Sequence, residues 1–394
     1  MNKPWPGGGA GATTLRMRGG RVAALGVALV AFTAPAAWGR TLAEIVGPGF
    51  TRPISDALAL SVGRALPVIS ASAGVVFSFD PSGAYVRERS IAGQLFLERA
   101  EPVGRARWNL SLNYQRVKFD SFEGKDIEQL KDTVPVVDPD TGGAVTFPRF
   151  GIDLETHEVT TSATYGLTDD LDINLALPVL LSELRVQLSQ GGANPADVKR
   201  FTESATKLGV GDIFLRGKYR FLNIGRGQAA LGLVFRLPSG EQENLQGTGA
   251  FEIAPLLYAS GKAVEITRAV ALQPYFNAGV NFDTEDVGSS EARWGVGLDA
   301  AIVGRITLAV AVLGRHPFRR LAPAGFFTLK RQDGSERPLF GINGDRPDLY
   351  DVSLGTRVNL WRDTVIGFAN AILPLNDDGV RSNVIPTIGV EIAF

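Results

Sequence analysis

The feature that most constrains this chain is an alternation of apolar and polar residues, which recurs in segments of about ten to twelve residues. In the segment from 349 to 360, the apolar face carries Tyr350, Val352, Leu354, Val358 and Leu360, and the other face carries Asp351, Ser353, Gly355, Arg357 and Asn359. Successive side chains of a strand point to opposite faces of a sheet. Each such segment therefore predicts a strand with one apolar and one polar face.

This pattern predicts about twelve strands, an even number. Their ranges are 107–118, 153–165, 171–185, 210–222, 228–239, 249–262, 269–282, 291–303, 306–315, 349–360, 364–375 and 383–394. Short turns alternate with longer polar loops, which are expected at 119–152, 186–209, 240–248, 283–290, 316–348 and 376–382. Outer-membrane barrels divide their connections in this way between periplasm and exterior. The predicted fold is all-β: a transmembrane antiparallel up-and-down β-barrel with a short N-terminal plug segment.

The polar faces contain charges of both signs, which a wet or internally paired lumen accommodates. We expect the lumen to be lined by Arg216, Lys218, Arg236, Glu252, Arg293, Asp299, Arg357 and Glu391. The apolar faces would contact lipid, with aromatic residues such as Trp108 and Tyr350 forming two interfacial girdles. No run of roughly eighteen uncharged apolar residues follows residue 40, so a spanning helix is not expected.

The N-terminal region has the order of a secretory signal peptide. Arg16, Arg18 and Arg21 precede the apolar stretch 22–34, and small residues follow up to Gly39, where cleavage is expected. The predicted organisation is a signal peptide at 1–39, an N-terminal periplasmic or plug segment at 40–106 and a barrel at 107–394. Export with such a barrel implies the bacterial outer membrane, with its lipid and the barrel-assembly machinery as partners.

Both ends of the mature chain carry further expectations. Residues 40–106 do not follow the alternation, and we expect the part that contains Gln94, Phe96, Glu98 and Arg99 to lie in the lumen as a plug. A periplasmic extension without a gating role is the alternative. At the other end, the alternation of the last strand continues to Phe394, in a pattern that resembles the C-terminal insertion signal of outer-membrane barrels.

Four short motifs add a resemblance to this reading. They are FLERAEPVG at 96–104, YGLTDDL at 165–171 with ALP at 176–178, GVGD at 209–212 with GKYR at 217–220, and LPSG at 237–240 with GTG at 247–249. Together they resemble the outer-membrane family named for the MetA pathway of phenol degradation, which is similar in style to hydrocarbon and fatty-acid channels. The resemblance covers most of 90–394. It implies a channel for passive uptake of small hydrophobic or aromatic compounds, without a cofactor.

Two other functions fit the same strands. A structural or adhesive barrel would have its lumen filled by charge pairs and the N-terminal segment. A phospholipase-type barrel enzyme would need a serine and a histidine together on the lipid-facing rim, and His157 has no convincing serine partner, since Ser182 reads equally well as a loop-end residue. Two histidines and no cysteine do not favour a metal site, and a net charge of -1 does not favour nucleic acid. We therefore expect no enzyme activity.

Overall fold

The computed structural model describes residues 41–42, 45, 66, 78–79, 85–86, 97–122, 124–128, 135–137, 144–191, 199–302, 305–319, 328–330, 336–338, 348–361 and 364–394. The longer strands in these ranges are β1 Trp108–Phe119, β2 Ala144–Gly166, β3 Leu171–Gly191, β4 Lys199–Val210, β5 Ile213–Ile224, β6 Gly227–Leu237, β7 Glu252–Gly261, β8 Val264–Thr267, β9 Val270–Asp283, β10 Glu291–Ile302, β11 Ile306–Pro317, β12 Leu349–Trp361, β13 Val365–Pro374 and β14 Ile385–Ala393. Short strands in the connections include Ser121–Phe122, Lys125–Asp126 and Val380–Arg381. Within these ranges, none of the helical segments has the length and apolar character needed to cross a membrane.

Twelve of the described strands form a closed antiparallel ring, which confirms the predicted barrel. Neighbours along the chain pair with one another, and β14 pairs with β1 to close the ring. β3 pairs with β5 near its start and with β4 farther along, so β4 and β5 act as one long strand interrupted at Gly211 and Asp212. β8 likewise extends the pairing of β9 beyond the end of β7. We refer to the end with the short connections as the turn end and to the other as the loop end.

The outward face of the ring carries an apolar belt. Large aliphatic side chains are exposed there, among them Leu112, Val159, Leu175, Leu215, Leu231, Leu257, Val296, Leu298, Leu308, Val310, Leu354 and Ile388. Aromatic rings flank the belt: the Trp108 and Tyr165 rings lie 4.6 Å apart at the turn end, and the Trp294 and Tyr350 rings lie 6.4 Å apart at the loop end. A closed barrel satisfies its backbone polar groups internally, and the belt matches hydrocarbon. The protein is an outer-membrane barrel.

The predicted loops at 119–152 and 186–209 are wrong in part, because strands occupy much of both. β2 begins well before the predicted strand, β3 continues beyond it, and β4 fills most of the second loop. Towards the loop end, from Leu154 on β2 and Leu184 on β3, the inward side chains are apolar, whereas outward ones such as Arg185 are charged. The alternation reverses its phase because the outward face meets water instead of lipid. The ladder of hydrogen bonds continues through that reversal.

An apolar cluster occupies the interior at the loop end. Phe119, Leu154 and Leu184 belong to it, and all three are almost fully buried. Leu42 and Ile45, from the predicted 40–106 segment, are buried in the same cluster. The backbone N–H of Leu42 donates to Asn244 Oδ1 at 3.3 Å, in the connection between β6 and β7. These two described residues therefore lie at the loop end of the barrel interior.

Candidate functional site

The inward face of the barrel is polar in its turn-end half. On β1, Asn109, Asn113 and Gln115 are buried at alternate positions, and Thr160 and Ser162 occupy the neighbouring face of β2. Because the alternate positions of these strands contact lipid, the remaining positions face inward. The lumen at this end is therefore a surface of amides, hydroxyls and charges.

A stretch of extended chain, residues 97–106, lies inside this half of the barrel, and we refer to it as the luminal segment. Wall side chains hold its backbone. Glu98 N–H donates to Asn277 Oδ1 at 2.7 Å, and Asn277 Nδ2 donates to the Glu98 carbonyl at 2.6 Å. Ala100 N–H donates to Ser260 Oγ at 2.8 Å. The segment is thus attached by side chains and not by a strand ladder.

The side chains of the luminal segment also engage the wall. Arg99 donates to Gln273 Oε1 at 2.8 Å, and Gln273 Nε2 donates to Glu101 Oε1 at 2.8 Å. Val103 N–H donates to Asp172 at 3.0 Å. Glu98 and Arg99, both expected in the plug, are buried in this region. The other two expected plug residues, Gln94 and Phe96, lie outside the described residues.

At the turn end the luminal segment passes very close to the barrel wall. Gly104 has a φ of +93°, a left-handed conformation that glycine adopts without strain. A Cβ atom at Gly166 would lie 1.8 Å from the Gly104 carbonyl oxygen. Ala106 N–H donates to the Gly166 carbonyl at 2.8 Å. This crossing therefore requires glycine in the wall.

Lys218, one of the eight residues expected in the lumen, joins the luminal segment to the wall. Its Nζ lies 3.8 Å from carboxylate oxygens of both Glu98 and Asp172, and it donates to the Arg99 carbonyl at 3.3 Å. All four residues are buried. One cation thus attracts two carboxylates that would otherwise repel each other.

A second ionic group surrounds Arg236, near the loop end. Arg236 Nε donates to Asp212 at 2.7 Å, and its other nitrogen lies 3.7 Å from Glu252. Asp212 also accepts from Gly240 N–H and Thr248 N–H, at 3.0 and 2.8 Å. The carboxylate therefore ties the connection between β6 and β7 to the interruption between β4 and β5.

The other five expected lumen residues lie on β5, β10, β12 and β14. Arg357 Nη1 donates to Glu391 Oε2 at 2.7 Å. Asp299, which is fully buried, accepts from the Tyr275 hydroxyl at 2.9 Å, and Arg293 pairs with the adjacent Glu291. Arg216 is buried beside the Phe214 ring, 5.4 Å from its centroid. The structure thus places the eight residues on inward faces, but in separate ionic groups.

Between the luminal segment and the loop end lies a cavity of about 220 Å³, which we refer to as the large cavity. Leu97 and Glu98 of the luminal segment form part of its wall. The rest of its apolar lining includes Phe119, Phe214, Val234, Leu256, Leu313 and Ile372. The cavity is therefore mainly apolar, although charged side chains are interspersed.

Arg381 lines the same cavity from the loop between β13 and β14. It donates to Asp351 at 2.8 Å and to the Tyr350 carbonyl at 3.3 Å. Burial lowers the pKa of the Arg381 guanidinium from its ordinary value, whereas the Asp351 charge opposes that shift. Val380–Arg381 also pairs with Ser121–Phe122. This loop is thereby held over the cavity by backbone and side-chain contacts.

The pair considered for catalysis is not assembled by the fold. His157 is paired with Leu181 across the ladder, whereas Ser182 is paired with Thr156 and is fully buried on the inward face. The two side chains therefore point to opposite sides of the wall. His157 instead contacts the Tyr114 hydroxyl at 2.7 Å on the outward face.

Several residues of the site are not among the eight that the sequence led us to expect in the lumen. Asn277, Ser260, Gln273 and Asp172 hold the luminal segment, and Asp212 organises the loop connection. Each stands at an inward position of a predicted strand or beside one. The alternation was therefore enough to place them on the lumen side, but their partners are distant in sequence.

No protein-family model and no curated protein matches the chain. Many solved structures show likeness to it, and three of them are outer-membrane channels or porins. The COG4313 outer membrane channel from Pseudomonas putida F1 is 17% identical, with a TM-score of 0.42, over 76% of this chain and 100% of that one. The NanC porin is 8% identical, with a TM-score of 0.38, over 72% and 98%, and the CymD monoaromatic hydrocarbon channel is 7% identical, with a TM-score of 0.33, over 74% and 89%. At these values the likenesses carry no inference about function.

Proposed function

We propose that this protein is an outer-membrane channel for the passive uptake of small hydrophobic or aromatic compounds, with the luminal segment as its plug. The observation that carries the proposal is the large cavity, which lies inside a closed transmembrane ring and has mainly apolar walls. An apolar chamber in an otherwise polar lumen favours apolar solutes, because burial of their surface is favourable at about 25 cal/mol per Å². The resemblance of four sequence motifs to the MetA-pathway family implies the same solute class.

The attachment of the luminal segment supports a plug that can be released. Its backbone is held by neutral hydrogen bonds to side chains, two to Asn277 and one to Ser260. Each neutral bond contributes only about 0.5–1.5 kcal/mol net. In this mechanism a solute enters at the loop end, occupies the large cavity, and passes to the turn end when the segment shifts.

A structural barrel with a filled lumen is the second candidate, and the ionic groups favour it. Lys218 bridges the luminal segment and the wall, and Arg357 pairs with Glu391 along the wall in the same half of the barrel. Buried pairs of this kind occupy space and resist separation. If they close the barrel independently of the luminal segment, no passage exists at the turn end.

Planar-bilayer recordings of three variants distinguish the two candidates. Deletion of residues 94–102 removes much of the proposed plug, and Asn277→Ala removes only its two-bond clamp on Glu98. Asn281→Ala is the matched control, because Asn281 faces inward on the same strand but donates to Glu252 of the wall, at 2.7 Å. We expect both plug variants to raise ion conductance and the control to behave like the parent.

The solute class is tested in the same preparations by liposome swelling with phenol, benzoate and dodecanoate, with protein-free liposomes as reference. Protein-dependent uptake of at least one of them is expected. The channel proposal fails if the parent takes up none and if neither plug variant conducts, while gel mobility shows that the proteins are folded. That combination supports the filled structural barrel.

A further inference from the structure

A second, smaller cavity of about 40 Å³ adjoins the large cavity, and we refer to it as the small cavity. Phe214, Arg216 and Arg236 line both. Both guanidinium groups lie over the Phe214 ring, 5.4 and 5.5 Å from its centroid. The two spaces therefore meet at these side chains and at Leu66, which also lines both.

Of the described residues that line the small cavity, only Asn113 has fully buried side-chain polar atoms without a hydrogen-bond partner. Glu158 accepts from Gln115 Nε2 at 2.8 Å and from the Thr160 hydroxyl, and Ser162 bonds Ser111 at 2.7 Å. Asn113 also lines this cavity and is only 2% exposed. Among the described residues, neither atom of its amide has a hydrogen-bond partner. A buried amide with both atoms unpartnered calls for an explanation, and a bound group that can both donate and accept supplies one.

The chemistry of the amide selects the group that it can bind. Asn113 presents a donor and an acceptor, and both are unpartnered. A carboxylate only accepts, so it would face the amide oxygen with its own negative oxygen. A hydroxyl donates and accepts, so it satisfies both atoms. An uncharged ligand also suits the surroundings, since five arginines and five carboxylates line the two cavities among the described residues.

The large cavity has room for the rest of such a molecule. Its volume of about 220 Å³ exceeds the apolar cavity of about 150 Å³ that holds a benzene ring in an engineered protein. From the cavity pair and the unpartnered amide, we propose that the lumen binds a small uncharged molecule with one hydroxyl group. Asn113 receives the hydroxyl, and the apolar body lies in the large cavity. This inference rests on the proposed function and narrows its solute class.

Three probes with one ring test this assignment: benzyl alcohol, toluene and benzoate. Their binding to the full-length protein in nanodiscs is measured by titration calorimetry, with empty nanodiscs as reference. Asn113→Leu removes the donor and the acceptor at nearly constant volume. Asn174→Leu is the matched control, because Asn174 is an inward-facing, buried asparagine on β3 that lines neither cavity. A melting scan of each variant confirms folding, and Asn113→Leu is expected to fold because the amide makes no bonds.

We expect benzyl alcohol to bind about tenfold more tightly than toluene or benzoate, since one or two hydrogen bonds distinguish it. Asn113→Leu should remove that preference, and Asn174→Leu should keep it. Equal binding of benzyl alcohol and toluene, a preference for benzoate, or an unchanged preference in Asn113→Leu overturns the hydroxyl site. Swelling assays with the same probes separate the two proposals: uptake without hydroxyl preference overturns the site alone, whereas absence of all uptake overturns the channel.

Discussion

The buried pair of Arg357 and Glu391 provides a quantitative test of how the lumen is stabilised. Their charged atoms are 2.7 Å apart, and the side chains are 6% and 3% exposed. At an effective dielectric constant of about 20, this separation corresponds to an attraction of roughly 6 kcal/mol, much of which offsets desolvation. Removing one partner leaves the other charge buried and uncompensated. We therefore expect Arg357→Met or Glu391→Gln alone to lower the free energy of unfolding by about 3–5 kcal/mol.

The double variant should be more stable than either single variant, because no uncompensated charge remains. Glu391→Gln keeps an acceptor for Asn109, which donates to this side chain. The measurement is urea unfolding in lipid vesicles, followed by tryptophan fluorescence and gel mobility. Arg116 and Glu155 form the control pair on the outward face, where Arg116 is 47% exposed and the coupling should be below about 1 kcal/mol. Additive single effects at Arg357 and Glu391, or equal coupling in both pairs, would refute the reasoning.

Three further predictions concern facing, assembly and the luminal crossing. Leu298→Arg should lower the free energy of unfolding by about 2–4 kcal/mol if Leu298 lies near the bilayer midplane, because the arginine would face lipid. Asp299→Asn, on the inward face, should lower it less. Equal losses in urea unfolding would contradict the assignment of Leu298 to the lipid face and Asp299 to the lumen. Phe394→Asp should reduce the folded fraction on heat-modifiable gels, because it places charge at the membrane interface; an unchanged fraction argues against the insertion signal. Gly166→Ala should displace the luminal segment and raise ion conductance, because its Cβ would lie 1.8 Å from the Gly104 carbonyl oxygen. Gly225→Ala is the control, because the space around Gly225 is open, and it should leave conductance unchanged. Equal conductance of the two variants would contradict a close contact between the luminal segment and Gly166.

The strand number and the facing of the membrane-spanning part were predictable from the sequence alone. The reason is local: lipid on one side of the wall imposes an apolar residue at every second position, as in the predicted strand at 349–360. The observed strand β12 has nearly the same bounds, and its residues Asp351 and Arg357 are buried on the inward face. Strand ends agreed less well where the solvent outside the wall changes from lipid to water. Beyond that point the apolar residues occupy the inward face. The predicted strands were defined by an apolar outward face, so they end before the observed strands do.

The arrangement inside the barrel was decided only by the tertiary structure. Asn277 and Glu98 are 179 positions apart in the sequence, and their contact depends on how the luminal segment runs through the closed ring. Alternation places Asn113 on the inward face, but it cannot tell whether the amide has a partner there. That outcome depends on the side chains of neighbouring strands, whose order around the ring is established only when β14 pairs with β1. Alternation along each strand thus specified which side faces lipid, whereas closure of the ring specified which inward groups meet, because those contacts join residues that are distant in the chain.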